Sequence, residues 1–196
     1  MISLIYPFYN NHKMLEYQHN KWMQWSDEVK DNVHIILVDD GSPEPAKIDG
    51  AGLNLSHYRI LDDIRWNVSG AKNLGVWGAK TPWIFCTDID REIPQDILMK
   101  CVKTSEIDPA DNAFAFKEKY HNGKAVKRFH MGTIFLRRHD YWRVGGYDED
   151  FSGAYGHEDG HFLKKLRSLG ILTNILKDVI IRHDRNPEIA DRACRS

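Results

Sequence analysis

Apolar positions along the chain follow two alternating rhythms. Short continuous runs bounded by Pro, Asp or Gly predict buried strands, and apolar residues at helical spacing predict helices between them. Residues 2–6 form the first run, ended by Pro7, and 33–38 the second, a β-branched run that passes straight into Asp39-Asp40-Gly41-Ser42-Pro43. Residues 58–61 predict a shorter strand. Residues 83–86 predict another, ending in Thr87-Asp88-Ile89-Asp90. Between them, 12–29 places Met14, Trp22, Trp25 and Val29 on one helical face, and 69–79 predicts a second helix with Ser69 as its N-cap. Strand, helix, strand, loop, helix, strand is the pattern of parallel βαβ units, which bind ligands beyond the carboxyl ends of their strands. The ends at 7–10, 39–40 and 88–90 should therefore converge on one rim.

The rhythm changes in the second half. Residues 94–105 predict a helix with Pro94 in its first turn. Residues 113–120 and 125–130 flank His121-Asn122-Gly123-Lys124, and the Asn-Gly pair predicts a hairpin. Further elements are a strand at 133–136, a short helix at 140–144 ended by Gly145-Gly146, an amphipathic helix at 158–169 stopped by Gly170, and an apolar strand at 171–181 running into Arg182-His183. The expected fold class is α/β: a single domain over 1–196, with a mostly parallel sheet flanked by helices and a smaller antiparallel section in the second half.

Composition narrows the function classes. At 196 residues one sizeable domain is expected, and 42% hydrophobic with 28% charged residues argues against disorder. Lys+Arg of 27 against Asp+Glu of 28 leaves no broad positive field, which disfavours a binder that works through phosphate attraction. Lys117, Lys119, Lys124, Lys127 and Arg128 form a local basic patch, read as a solvated hairpin face because it lacks interleaved aromatics. No run approaches ~18 apolar residues, and the start lacks a basic leader segment, so a soluble cytoplasmic chain without a transmembrane segment is expected. Cys86, Cys101 and Cys194, odd in number and widely spaced, fit a reducing compartment.

Three groups of residues carry candidate chemistry. Asp88 and Asp90, one residue apart at a strand end, can approach one hard cation. Glu158-Asp159 opens a helix, where a carboxylate can serve as a base from a rigid support. His183 becomes a ligand candidate if Asp90 comes near it. His157-Glu158-Asp159-Gly160-His161 also fits the H-E-x-x-H pattern of zinc hydrolases, although Gly156 and Gly160 weaken the helix which that motif requires.

In order along the chain, these segments resemble GT-A glycosyltransferases of the family 2 type and their β-1,4-galactosyltransferase-like relatives. Residues 2–10 are similar to the opening strand and nucleotide loop. Val38-Asp39-Asp40-Gly41-Ser42 resembles the family's V-D-D-G-S. Gly70-Ala71-Lys72-Asn73-Leu74-Gly75 resembles its G-x-A-R-N-x-G, with Lys72 for the usual Arg. Asp88-Ile89-Asp90 is similar to the D-x-D metal motif. Gly145-Gly146-Tyr147-Asp148-Glu149 and Tyr155-Gly156-His157-Glu158-Asp159 are similar to the G-G-F-D-E and W-G-x-E-D acceptor-side pair. Ile180-Ile181-Arg182-His183 is similar to the segment with a late metal-binding His.

The resemblance implies a GT-A (Rossmann-like) domain with a nucleotide-binding half at 1–91, an acceptor-side half at 92–185 and a tail at 186–196. Pro7, Phe8 and Tyr9 would line the base and ribose pocket. Asp39 would accept from uracil, and Asp40 would hold the loop. Arg65, Lys72 and Asn73 would sit beside the nucleotide and diphosphate. Asp90 and His183 would bind the metal, Mn2+ or Mg2+, while Asp88 would contact ribose or reach the metal through water. Asp159 would be the catalytic base, Glu158 would bond acceptor or donor sugar, and Tyr155 and Gly156 would meet substrate. Three departures stand out: Tyr155 replaces the usual Trp, Ile180 stands where a further metal-binding Met often occurs, and His157 before Glu158 has no assigned role in the family pattern.

The implied function is metal-dependent, inverting transfer from a UDP-sugar to a hydroxyl acceptor on a saccharide, lipid-linked sugar, protein or modified nucleic-acid base. The alternatives are a zinc hydrolase through His157, Glu158 and His161, a non-catalytic nucleotide-sugar-binding domain, and a nucleotidyl enzyme. The last predicts a Gly-rich phosphate loop, and residues 7–13 contain no Gly.

Overall fold

The computed structural model describes residues 1–107, 109, 111–126 and 129–189. The elements expected from periodicity map onto one mixed sheet with helices on both faces. Its strands are β1 (Ile2–Phe8), β2 (Val33–Asp40), β3 (Leu55–Ile60), β4 (Trp83–Cys86), β5 (Arg91–Glu92), β6 (Asn112–Tyr120), β7 (Ile134–Arg137) and β8 (Leu172–Arg182). The helices are α1 (His12–Met23), α2 (Asp27–Asn32), α3 (Val68–Gly78), α4 (Gln95–Ile107), α5 (Arg138–Arg143) and α6 (Glu158–Ser168). The sheet order is β3-β2-β1-β4-β7-β6-β8-β5.

The first four strands of that order are parallel, as continuous apolar runs require when both faces are covered. Alternation along β1 sends Leu4, Tyr6 and Phe8 to one core with α1 and α4, and Ile5 to a second core with α3 and α6. Helix α3 lies close on the sheet because Gly75 has no side chain. A Cβ there would stand 2.5 Å from Ile5 Cγ2 and 3.2 Å from Val38 Cγ2. The register pairs Phe8 with Asp39 and Ile5 with Cys86, so the ends of β2, β1 and β4 lie side by side on one rim, as expected.

Local differences from expectation have physical causes. The helix read over 12–29 is two helices, because Ser26 takes an extended conformation and caps α2 through Val29 N. The N-cap of α3 is Asn67, not Ser69, and its side chain bonds Asp40 rather than the helix. The Asn122-Gly123 turn forms, with Gly123 at φ +84°, but among the described residues the arm expected at 125–130 contributes only an isolated bridge, Ala125 to Lys119. The neighbouring edge of β6 is taken by antiparallel β7, and its other edge by β8, which runs parallel to it. Lys127 and Arg128 of the basic patch, Cys194 and tail residues 190–196 lie outside the described residues. Cys86 and Cys101 are free and buried. No helix among the described residues is long and apolar enough to cross a membrane.

Candidate active site

The rim gathers acids from the ends of β2 and β4 and from the start of α6. Asp88 and Asp90 leave β4 in a turn that leads into β5. Asp159 lies in the first turn of α6, preceded by the Gly153–Gly156 loop, where both glycines take positive φ. Lys72, only 1% exposed on α3, joins these two regions. Its Nζ lies 3.2 Å from Asp159 Oδ1, 3.5 Å from Asp88 Oδ1 and 3.4 Å from the Gly132 carbonyl. It also lies over the Tyr147 ring, 4.8 Å from the centroid.

Burial alone would lower the Lys72 pKa, but the Asp159 and Asp88 carboxylates outweigh it and hold the ammonium above its ordinary value. Asp88 likewise gains a desolvation cost, which Lys72, His130 and Arg91 more than offset. Its carboxyl stays well below the usual range. The His130 ring lies 3.6 Å from Asp88 Oδ2 through Nδ1. Asp159 Oδ1 also accepts from the Tyr147 hydroxyl at 3.0 Å. Neighbouring Glu158 is raised, first by burial and then by the Asp159 charge.

A second cluster surrounds Asp90. Arg91, 2% exposed, pairs with the Asp90 carboxylate and, through Nε at 2.9 Å, with buried Glu118. Arg182 reaches the other Glu118 oxygen at 3.6 Å. The β5–β8 pairing brings His183 beside the turn, and its backbone N–H donates to the Asp90 carbonyl at 2.9 Å. The His183 Nε2 atom lies 3.0 Å from Glu92, which also accepts from the Tyr17 hydroxyl at 2.6 Å. Burial raises Glu92, while His183, Tyr17 and Lys21 outweigh it and bring its pKa down to about 2.

Two strand-end carboxylates and an imidazole suit Mn2+ or Mg2+ in donor chemistry, and His183 Nδ1 is buried without a hydrogen-bond partner. These residues fit such a cation. Among the described residues, no three acidic, His or Cys side chains stand together as a metal-holding group in the present side-chain arrangement. Ile180, fully buried in the core, contributes no ligand.

The remaining residues of the implied nucleotide pocket take varied places. Pro7 and Tyr9 are half-buried at the rim, where the Tyr9 hydroxyl donates to Asp63 at 3.2 Å, while Phe8 belongs to the core. Asp39 accepts from Ser42 N and Ala46 N, both at 2.9 Å, and so holds the 41–46 loop. Asp40, expected in that role, accepts from Asn67 at 2.9 Å. Asn73 turns to the acceptor side: it bonds Tyr141, Glu149 and both backbone groups of Tyr147. Arg65 is exposed, and its carbonyl accepts from Gly153 N at 2.6 Å. Next to it Trp66 packs against Tyr155, 78% exposed, at 4.7 Å between ring centroids. Gly156, beside Tyr155, has open space where a Cβ would stand.

Tyr147, Gly132, His130, Glu118 and Trp66 were not singled out by sequence as site residues. A Gly before an apolar strand carries no mark of the carboxylate beside it, and buried Glu118 reads as a solvent-facing charge. The zinc-hydrolase pattern fails on backbone geometry. His157 precedes α6 in the left-handed region at φ +75°, so it does not share a helical face with His161.

Comparison with known proteins agrees with this fold. The fold is similar to that of a mannosyltransferase, PcManGT from Pyrobaculum calidifontis, in complex with GDP-Man and Mn2+ (TM-score 0.71, 20% identity, 96% of this chain and 58% of that one). It is also similar to S. aureus TarS 1-349 in complex with UDP-GlcNAc (TM-score 0.70, 17% identity, 92% and 57%). A third likeness is to the catalytic domain of Drosophila beta1,4galactosyltransferase 7 (TM-score 0.56, 17% identity, 89% and 63%). The chain thus spans roughly three fifths of the length of these proteins. No curated protein matches it in sequence. The family model described as glycosyl transferase family 2 matches residues 3–169, which include both the strand-end acids and Asp159, and the chain belongs to that family of glycosyltransferase enzymes.

Proposed function

We propose that the chain transfers a sugar from a UDP-sugar to an acceptor hydroxyl with inversion, using a divalent cation. The observation that carries the reading is the meeting of Asp88, from the strand-end turn, and Asp159, from α6, on one Lys72 ammonium within 3.5 Å of each. It joins the donor side of the site to the start of α6, which presents Glu158 and Asp159.

The roles follow from the chemistry. An acceptor hydroxyl has a pKa far above neutral, so a carboxylate must take its proton as attack proceeds. Asp159 has that role. Both hydrogen bonds it accepts from the described residues fall on Oδ1, which leaves Oδ2 for the acceptor. One base facing the attacked carbon means a single displacement. Pro7 and Tyr9 bound the base and ribose, with Asp39 and Asp40 shaping the loop beneath. Asp90 and His183, with Asp88, would hold Mn2+ or Mg2+, which would supply a Lewis acid for the charge on the departing diphosphate. Exposed Tyr155 and half-buried Trp66 favour a saccharide acceptor, since an aromatic face and a sugar's apolar face cover one another.

Thermal unfolding with UDP or GDP, each with and without Mn2+, tests the reading. Stabilisation by UDP that needs Mn2+ is expected. Stabilisation by GDP alone overturns the donor assignment, and no response to either nucleotide with metal overturns the reading.

A further inference from the structure

Lys72 stands where a diphosphate contact is implied by family resemblance, yet its surroundings leave no such contact to make. An ammonium has three N–H donors. Three acceptors already surround Nζ: Asp159 Oδ1 at 3.2 Å, Asp88 Oδ1 at 3.5 Å and the Gly132 carbonyl at 3.4 Å. The side chain is 1% exposed, and the Tyr147 ring closes its remaining side at 4.8 Å. Its partners come from elements far apart in sequence: the turn after β4, the loop before β7, and α6.

We propose that Lys72 is a positioning residue: it locks the base Asp159 to the strand-end acid Asp88 and aims Asp159 Oδ2 at the acceptor, rather than binding the donor diphosphate. The inference rests on the transferase reading above. Two features support it. The Tyr147 hydroxyl donates to the same Asp159 oxygen, so both donors hold one side of the carboxylate and, among the described residues, leave the other unbonded. Gly132, whose carbonyl accepts from Lys72, also gives the carboxylate its space, since a Cβ at 132 would fall 2.7 Å from Asp159 Oδ2.

A point charge that meets three acceptors in different directions is a lysine task. A planar guanidinium keeps the charge but fans its donors in one plane. Lys72→Met and Lys72→Arg therefore separate the roles. In the full chain with Mn2+, UDP affinity is read by thermal shift, and kcat and KM are read from UDP release. Lys72→Met is expected to leave the UDP affinity and the KM for UDP-sugar within about threefold, and to lower kcat about 100-fold, the scale of a misplaced reacting group. Lys72→Arg is expected to keep KM and to recover kcat to within about tenfold of the unsubstituted chain.

If Lys72→Met does not fold, Lys72→Arg decides alone. A kcat fall of about threefold to tenfold at unchanged KM supports positioning. An unchanged kcat, or a rise in KM or in the UDP dissociation constant of tenfold or more, overturns it. An unsubstituted chain that neither binds UDP nor consumes any UDP-sugar overturns the transferase reading and this inference with it. An active chain with the wrong variant pattern overturns the inference alone.

Discussion

Lys72 and Arg91 are both buried cations that hold one acid of the Asp88-Ile89-Asp90 turn, but their partners differ. Arg91 is adjacent to Asp90 in sequence, and its other partner, Glu118, lies on β6, with Arg182 on β8 behind it. Every member of that cluster belongs to the sheet or to its edge turn, and Glu118 has no exposed side-chain surface. Lys72 instead bridges the sheet to α6, and its partners remain partly open: the Asp88 side chain is 29% exposed and that of Asp159 15%. A closed network costs desolvation and returns fixed geometry. An open one keeps an oxygen for substrate. The Arg91 cluster therefore anchors the turn, and the Lys72 cluster is where the proposed chemistry would be positioned.

The largest break in this comparison should come from the closed side. Glu118→Ala leaves Arg91 and Arg182 without their shared acid, and should cost about 3–5 kcal/mol of stability in urea unfolding. A loss below about 1 kcal/mol would mean that Glu118 is not an anchor. On the open side, Gly132→Ala drives a Cβ against both Asp159 oxygens, at 2.7 and 2.8 Å. UDP-sugar turnover should fall about 100-fold, with the melting temperature nearly unchanged, whereas full turnover would show that Asp159 need not stay in place. Tyr147→Phe removes the second donor to Asp159 and should lower turnover about tenfold, the worth of one hydrogen bond to a charged group.

The smallest effect lies outside both clusters, at the start of β2. Burial, then the Lys80 charge, lowers the pKa of His34, whose ring meets Ser3 and Ser56. With the folded pKa below the unfolded 6.5, the unfolded chain binds more protons in that window. Stability from neutral His34 is thus full above pH 6.5 and is lost as pH falls through the lowered folded value. His34→Gln should flatten the slope of stability against pH just below 6.5, and an unchanged slope would remove His34 as its source.

The same contrast explains how much was legible in sequence. The parallel half was readable because 2–6, 33–38 and 83–86 are continuous apolar runs, and Asp39, Asp88 and Asp90 follow them directly. Each signal there is local. The Lys72–Asp159 bridge joins residues 87 positions apart, and Glu118 meets Arg91 across 27, so no periodicity marks either pair. The β6–β8 pairing was hidden for a related reason. The Asn122-Gly123 turn forms locally, but β6 pairs with β7 and β8, which lie further along the chain.

The central claim is that Asp159 deprotonates the acceptor in a Mn2+-dependent UDP-sugar transferase. UDP release from a UDP-sugar with Mn2+, measured for the unsubstituted chain and for Asp159→Asn beside their UDP-induced thermal shifts, tests it most directly. The account predicts Mn2+-dependent release that falls by about 10²–10⁴ in Asp159→Asn while the UDP shift persists. Near-full release from Asp159→Asn, with the shift intact, would contradict it.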